Sequence, residues 1–246
     1  MMNTRKVALI TGASKRIGAT IAKTLHDSGY NVIIHYGNSK KQALELAEGL
    51  NRQRDNSAIC LQGDLLSITS ITAFAEKAVS AWGGIDVLIN NASSFYPTPI
   101  ESATEKDWDD LVGSNLKGPF FLTQQLTTTL KAKRGSIVNI IDIHADKPLT
   151  NHPIYCMAKA GLAMMTKSLA KDLAPDIRVN GVSPGAILWP ETEAESQAKS
   201  AILAKIPLTT IGETSDIAKA VKFLVADAPY ITGQILAIDG GRSLTM

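Results

Sequence analysis

Short runs of apolar, β-branched residues alternate along this chain with longer stretches whose apolar positions recur at helical spacing. Lys6-Val-Ala-Leu-Ile-Thr11 is the first run, followed by a helical pattern over Arg16–Ser28 and a second run at Asn31–Tyr36. An amphipathic segment at Lys40–Arg54, the run Ser57–Leu61 and a helix near Ile68–Trp82 come next. Asp86–Asn90 predicts a fourth strand, Glu105–Lys131 a long helix, and Ser136–Ile141 a fifth strand. A helix containing Tyr155 reaches Leu173, and Ile177–Val182 and Gln234–Ile238 complete seven strands. Strands that read as continuous apolar runs are buried on both faces, and helical crossovers between them impose parallel pairing. The expected fold is therefore α/β: a doubly wound, seven-stranded, mostly parallel sheet with helices on both faces. No repeat, low-complexity tract or Pro/Gly-rich linker divides the chain, so residues 1–246 are expected to form one domain. Residues 186–212 are the irregular part, an insertion after the sixth strand at the carboxyl edge of the sheet. They are expected to form a loop over the substrate or, alternatively, a surface helix pair packed on itself.

Composition narrows the classes. A chain of 246 residues, 45% hydrophobic and 20% charged, is an ordinary globular protein with a sizeable core. A net charge of +2 with no basic run gives no reason to expect nucleic acid. No apolar run approaches the roughly 18 residues that span a bilayer. Cys60 and Cys156 read as reduced thiols rather than a disulfide framework, and Met-Met-Asn-Thr-Arg-Lys runs straight into a strand. The expected location is the cytoplasm. His35, His144 and His152 lack metal-ligand spacing and are expected to be structural or solvent-facing, so no metal is expected.

The candidate chemistry starts where the fifth strand stops. Tyr155 and Lys159 are four residues apart and share one helix face. An ammonium beside a phenol lowers its pKa from about 10 and suits it to proton transfer near neutrality. Asp142, at the end of the strand, is expected to project into the same space. Taken singly, Asp142 could merely cap a turn, and Tyr155 with Lys159 could be a surface pair.

The opposite end of the sheet edge suggests a dinucleotide. Thr11-Gly12-Ala-Ser14-Lys15-Arg16-Ile17-Gly18 links the first strand to a helix. Gly12 permits a tight turn, Gly18 permits close helix packing, and the helix N-terminus offers N–H groups to a pyrophosphate. The second strand ends at His35-Tyr36-Gly-Asn38-Ser39-Lys40, with no carboxylate to bind ribose hydroxyls and repel a 2′-phosphate. Lys15, Asn38 and Ser39, with Lys40 as a further donor, suit that phosphate and favour NADPH over NADH. Asp64-Leu65 follows the third strand, where Asp64 either accepts from adenine or caps the helix at Ser67. Asn91-Ala92-Ser93 follows the fourth strand, and Pro184-Gly185 after the sixth suits the nicotinamide carboxamide. Asn115 either links a proton path or fills a buried polar position.

Together Thr11-Gly12…Gly18, Asn90-Asn91-Ala92, Asn115, Tyr155-x-x-x-Lys159, Pro184-Gly185 and Asp239-Gly-Gly241 resemble the short-chain dehydrogenase/reductase family over the whole chain. That resemblance implies a Rossmann-type fold. It also implies a tyrosine proton donor, a lysine that binds the nicotinamide ribose and tunes the tyrosine, and an asparagine that holds a water in the relay. Three departures narrow it further: Arg16 for the middle glycine, Ser93-Ser-Phe95-Tyr-Pro97 for the usual glycine, and Asp142 for the usual serine. These features are similar to the pteridine reductase subfamily. They imply that Arg16, Ser93, Phe95, Asp142 and Tyr155 contact a pterin, with Leu188 and Trp189 walling the pocket. They further imply a homotetramer packed through the helices at 105–131 and near Tyr155.

The chemistry is coherent. An ionised aspartate repels the alkoxide that forms when a ketone is reduced, whereas a pterin offers ring N–H and amino donors. Phe95 offers a flat surface for a planar heterocycle, although a lone phenylalanine also suits a core. The expectation is NADPH-dependent reduction of dihydropterins, with biopterin and dihydrofolate as further substrates. Rival readings are a carbonyl reductase acting on 3-oxoacyl or similar substrates, and a non-catalytic nucleotide-binding regulator. Two mismatches with the subfamily are the direct passage from Pro99 to Glu101, without the long insertion some members have, and Met246 where eukaryotic members have a terminal arginine.

Overall fold

The computed structural model describes residues 5–187 and 196–245. Seven strands form one sheet: β1 (Val7–Ile10), β2 (Asn31–Tyr36), β3 (Ala58–Gln62), β4 (Val87–Asn90), β5 (Ser136–Ile140), β6 (Arg178–Pro184) and β7 (Ile235–Ile238). Their spatial order is β3-β2-β1-β4-β5-β6-β7. Every pairing is parallel, where the sequence pattern suggested a mostly parallel sheet. The reason lies in the connections, each of which carries helix and returns the chain to the same edge.

The strand order reverses between β1 and β4, which opens a crevice at the carboxyl edge. Helices α1 (Arg16–Asp27), α2 (Lys40–Gln53) and α8 (Thr214–Lys222) cover one face of the sheet. There Ile21, Leu25, Leu46, Leu50, Ile217 and Val221 pack on Ala8, Ile10, Val32 and Ile34. The other face carries α3 (Ile68–Trp82) and α5 (Gly118–Ala132), whose Ile71, Phe74, Leu122, Leu126 and Leu130 pack on Val7, Leu9, Ile33 and Leu88. Alternate residues of β1 thus serve opposite layers, as a strand buried on both sides requires.

The predicted long helix at 105–131 is observed as α4 (Glu105–Val112), a π-helical turn at Gly113–Lys117, and α5. A capping box between Thr104 and Asp107 starts α4. The Tyr155 helix is α6 (Pro153–Asp172), and α7 (Ser196–Leu203) lies in the irregular region. The base of that region is pinned by a parallel bridge between Ile187 and Gly212. Leu188 and Trp189, expected to wall the pocket, lie outside the described residues.

A buried polar chain fastens α6 to the sheet. Asn90 Nδ2 donates to Asn139 Oδ1 at 2.8 Å, Asn139 Nδ2 donates to Thr166 at 2.8 Å, and Thr166 donates to the Leu162 carbonyl at 2.8 Å. Asn139→Ala strands the Asn90 amide in a fully buried site. It is expected to cost about 1–3 kcal/mol, read as a lower urea midpoint with an unchanged slope. An unchanged midpoint would contradict the structural weight given to this chain.

Candidate active site

The loops leaving the carboxyl ends of the strands surround one open groove of about 1220 Å³. With the exception of Lys40, the described residues that the sequence nominates for cofactor or substrate contact line it, from Gly12 and Arg16 through His35, Asn38 and Asp64 to Phe95, Asp142, Tyr155 and Gly185. Lys40, offered as a further phosphate donor, is not among the lining residues.

At one end the β1 and β4 loops are locked together. Thr11 Oγ1 accepts from the N–H groups of Asn91 at 2.9 Å and Ala92 at 3.0 Å, and Asn91 Nδ2 donates to the carbonyls of Thr11 and Gly12. Gly12 sits at φ 59°, and a Cβ there would lie 2.9 Å from Ala92 Cα. A Cβ on Gly18 would fall 2.5 Å from the Gly12 carbonyl oxygen, so the close helix approach read from the sequence is a steric fact. Arg16 replaces a glycine but keeps left-handed backbone, with φ 53°, at a cost of about 1 kcal/mol. Its exposed side chain lines the groove.

Helix α1 starts without a side-chain cap and with no acidic residue in its first turn. The same holds for α2, which starts behind Ser39. Uncapped N-termini beside Lys15, Asn38 and Ser39 leave donors and positive dipole ends facing the groove, which fits an elongated anion such as a dinucleotide.

His35 is buried rather than solvent-facing. Its Nδ1 accepts from the Gly12 N–H at 3.0 Å, which leaves Nε2 to donate to the Gly63 carbonyl at 3.0 Å. Burial lowers its pKa to about 4, so a neutral imidazole ties the first loop to the third. Asp64 lies at the groove, where Oδ1 accepts from the Leu66 N–H at 2.9 Å. The α3 cap is Ser67, not Asp64.

At the other end Tyr155, Lys159 and Asp142 converge. The Tyr155 hydroxyl donates to Asp142 Oδ2 at 2.8 Å, while Asp142 Oδ1 accepts from the His144 N–H at 2.8 Å. Asp142 therefore caps a turn and faces the phenol at once. Tyr155 is only 4% exposed and Lys159 2%, which removes the surface-pair reading. The expected lowering of the phenol pKa is reversed. Burial pushes it up, and the charge and hydrogen bond of Asp142 push it further. The ammonium does not reach the hydroxyl. Lys159 Nζ donates to the Ile140 carbonyl at 3.0 Å and lies 5.7 Å from the centre of the tyrosine ring. Burial lowers the pKa of Lys159 to about 8, partly opposed by Asp142.

Asn115 is fully buried in the π-helical turn. Its amide donates to the carbonyls of Ser94 and Leu111, both at 2.9 Å, and its Oδ1 accepts from the Ser93 hydroxyl at 2.6 Å. It stands behind the groove rather than in its lining. The lining residues that the sequence did not single out include Asp110 and Ser114. The Ser114 hydroxyl lies 3.3 Å from the Ser94 N–H, and Asp110 accepts from the Ser94 hydroxyl at 3.3 Å. Asp110 stands in the last turn of α4 and Ser114 four residues on, in the π turn, and both meet the groove beside Ser94, a loop residue remote from them in sequence. Phe95 is 56% exposed, stacks on His152 with centroids 4.8 Å apart, and meets Tyr155 edge-on at 4.8 Å. The outcome is a polar proton-handling corner beside a flat aromatic surface, at the end of a groove suited to a long anion.

Among the described residues no group of His, Cys, Asp and Glu could hold a metal, and no helix is long and apolar enough to cross a membrane. Residues 12–243 match a family model described as enoyl-(acyl carrier protein) reductase. Pteridine reductase 1 of Leishmania tarentolae is 38% identical, with 98% of each chain covered. That alignment spans 286 positions, so the relative carries segments this 246-residue chain lacks. The 3-oxoacyl-(acyl-carrier-protein) reductase FabG of Staphylococcus aureus is 37% identical over 98% of this chain and 99% of its own. The corresponding FabG of Thermotoga maritima is 37% identical over 96% of this chain and 97% of its own. The chain belongs to the short-chain dehydrogenase/reductase family.

Proposed function

We propose that this oxidoreductase reduces the C=N bond of dihydropterins to the tetrahydro form with NADPH, with biopterin and dihydrofolate as further substrates. Members of the family use NAD(P)H. The observation that carries the pterin reading is the carboxylate of Asp142 at 2.8 Å from the Tyr155 hydroxyl, where the family pattern has a serine. A developing alkoxide is destabilised beside a carboxylate, whereas the N–H and amino donors of a pterin ring are held by one. NADPH is favoured over NADH by the absence of a carboxylate after β2 and by Lys15, Asn38 and Ser39 along the groove.

When bound, the reduced nicotinamide supplies a hydride to a ring carbon. Tyr155 is the acid. Its raised pKa keeps the phenol protonated through the neutral range, and Asp142 holds the hydroxyl and accepts from the substrate. Lys159, a buried cation anchored on the Ile140 carbonyl, would hold the nicotinamide ribose. Asn115 positions Ser93 through their 2.6 Å hydrogen bond. Phe95 would stack against the heterocycle, and Arg16 would hold the cofactor phosphate and the polar edge of the substrate, as both line the groove.

The exposed Trp108, Phe120, Met157 and Met164 on α4, α5 and α6 support a homotetramer packed through these helices. Two free thiols, Cys60 and Cys156, suit a reducing cytoplasm. The 37% identity to FabG proteins favours, as the second reading, reduction of 3-oxoacyl thioesters.

Asp142→Ser distinguishes the two. It is expected to lower kcat/KM for dihydrobiopterin by about 100-fold or more, while reduction of an acetoacetyl thioester holds or rises. Retained pterin reduction would sink the assignment. The free-enzyme pH profile tests Lys159. Its lowered pKa means the cation is present below about 8 and lost as pH rises through that value, so kcat/KM falls along an alkaline limb near 8. Lys159→Arg should retain its charge and erase this limb. Persistence of the limb in that variant would assign it elsewhere.

A further inference from the structure

Phe95 poses a mechanical question. It lies in a segment without regular secondary structure, is 56% exposed, and yet must present one face to a planar substrate if the proposed function holds. A ring on such a loop reorients unless something holds it. His152 supplies the support. Its imidazole lies nearly parallel to the Phe95 ring, with an interplanar angle of 13° and a centroid separation of 4.8 Å. Phe95 lines the groove and His152 does not, so the imidazole is a stacking partner that stands outside the groove lining. Tyr155 meets the same ring edge-on, at 74°.

The local sequence frees His152 for this contact. It occupies the N-cap position of α6, where a residue ordinarily uses its side chain to satisfy the first N–H groups, but it makes no side-chain capping bond. Nδ1 instead donates to the Thr150 carbonyl at 2.8 Å, which fixes the ring plane. The neighbouring Asn151 takes left-handed backbone, φ 61°, and its carbonyl accepts from the Thr98 N–H at 2.6 Å. The Phe95 segment and the turn before α6 are thereby clasped at two points, one polar and one aromatic.

We infer that His152 is a positioning residue for substrate binding: it braces Phe95 so that the groove-side face of that ring stands as a preset stacking wall for a flat heterocycle. The inference rests on the pterin reading. It assigns His152 no contact with substrate and no share in proton transfer, so its removal acts on substrate affinity and not on the chemical step.

The test is calorimetric titration of dihydrobiopterin into the NADP+-loaded protein, across wild type, His152→Ala, His152→Phe, Phe95→Ala and the Phe95→Ala/His152→Ala pair. Loss of an aromatic stack corresponds to about threefold to tenfold in affinity. His152→Ala is expected to weaken dihydrobiopterin by about that factor, with kcat and NADPH affinity unchanged. His152→Phe, which restores a flat ring, returns affinity to near wild type. The double variant binds no more weakly than Phe95→Ala alone. Thermal melts of each variant verify folding, and because the Phe rescue must also appear, simple misfolding cannot imitate the result. Wild-type binding that survives in His152→Ala, or losses that add in the double variant, would overturn the bracing role alone. A wild type that takes no dihydrobiopterin but oxidises NADPH with an acetoacetyl thioester would overturn the pterin reading, and this inference with it.

Discussion

The hydrogen bond from Tyr155 to Asp142 is the contact on which the rest of the site depends. The phenol is buried and the carboxylate half-buried at the groove, so the hydroxyl would be costly to bury without this acceptor. The structure meets that cost with backbone partners. The His144 N–H holds the second carboxylate oxygen, and the Ile140 carbonyl holds the buried Lys159 ammonium. These partners come from β5, the turn after it and α6, the elements that the Asn90–Asn139–Thr166 chain ties to the sheet centre. Fold and chemistry meet in those few bonds.

The same corner sets the substrate problem. A serine hydroxyl in place of Asp142 would donate to an oxygen that gains charge. A carboxylate accepts donors instead and resists that charge. Relatives bearing both kinds of name align along nearly the whole chain at 38% and 37% identity, so overall similarity does not separate the two chemistries. The pterin reading proposed above rests instead on the local electrostatics of one residue, Asp142.

Much of this was legible in the sequence because its causes are local. Continuous apolar runs marked all seven strands, and the spacing of Tyr155 and Lys159 set them on one face of a helix. Gly12 and Gly18 announced close approaches that the structure shows as contacts below 3 Å for any added Cβ. The unread parts depend on the third dimension. Asp110 and Ser114 at the groove were missed because what brings them there is the packing of α4 and the π turn after it against the Ser94 loop, a contact between segments remote in sequence. The pKa of Tyr155 was expected to fall because Lys159 lies one turn away, yet the ammonium is drawn to Ile140 while burial and Asp142 act on the hydroxyl. His152 looked incidental because its partner, Phe95, is remote in sequence. Leu188 and Trp189 lie outside the described residues.

The pterin reading makes a direct claim about substrate choice. Initial rates of NADPH oxidation by the wild-type protein, measured side by side with dihydrobiopterin, dihydromonapterin, dihydrofolate and an acetoacetyl thioester, test it most plainly. A kcat/KM for a dihydropterin well above that for the thioester, with NADPH preferred to NADH, is the expected result. Efficient thioester reduction with no turnover of any pterin or folate would contradict it.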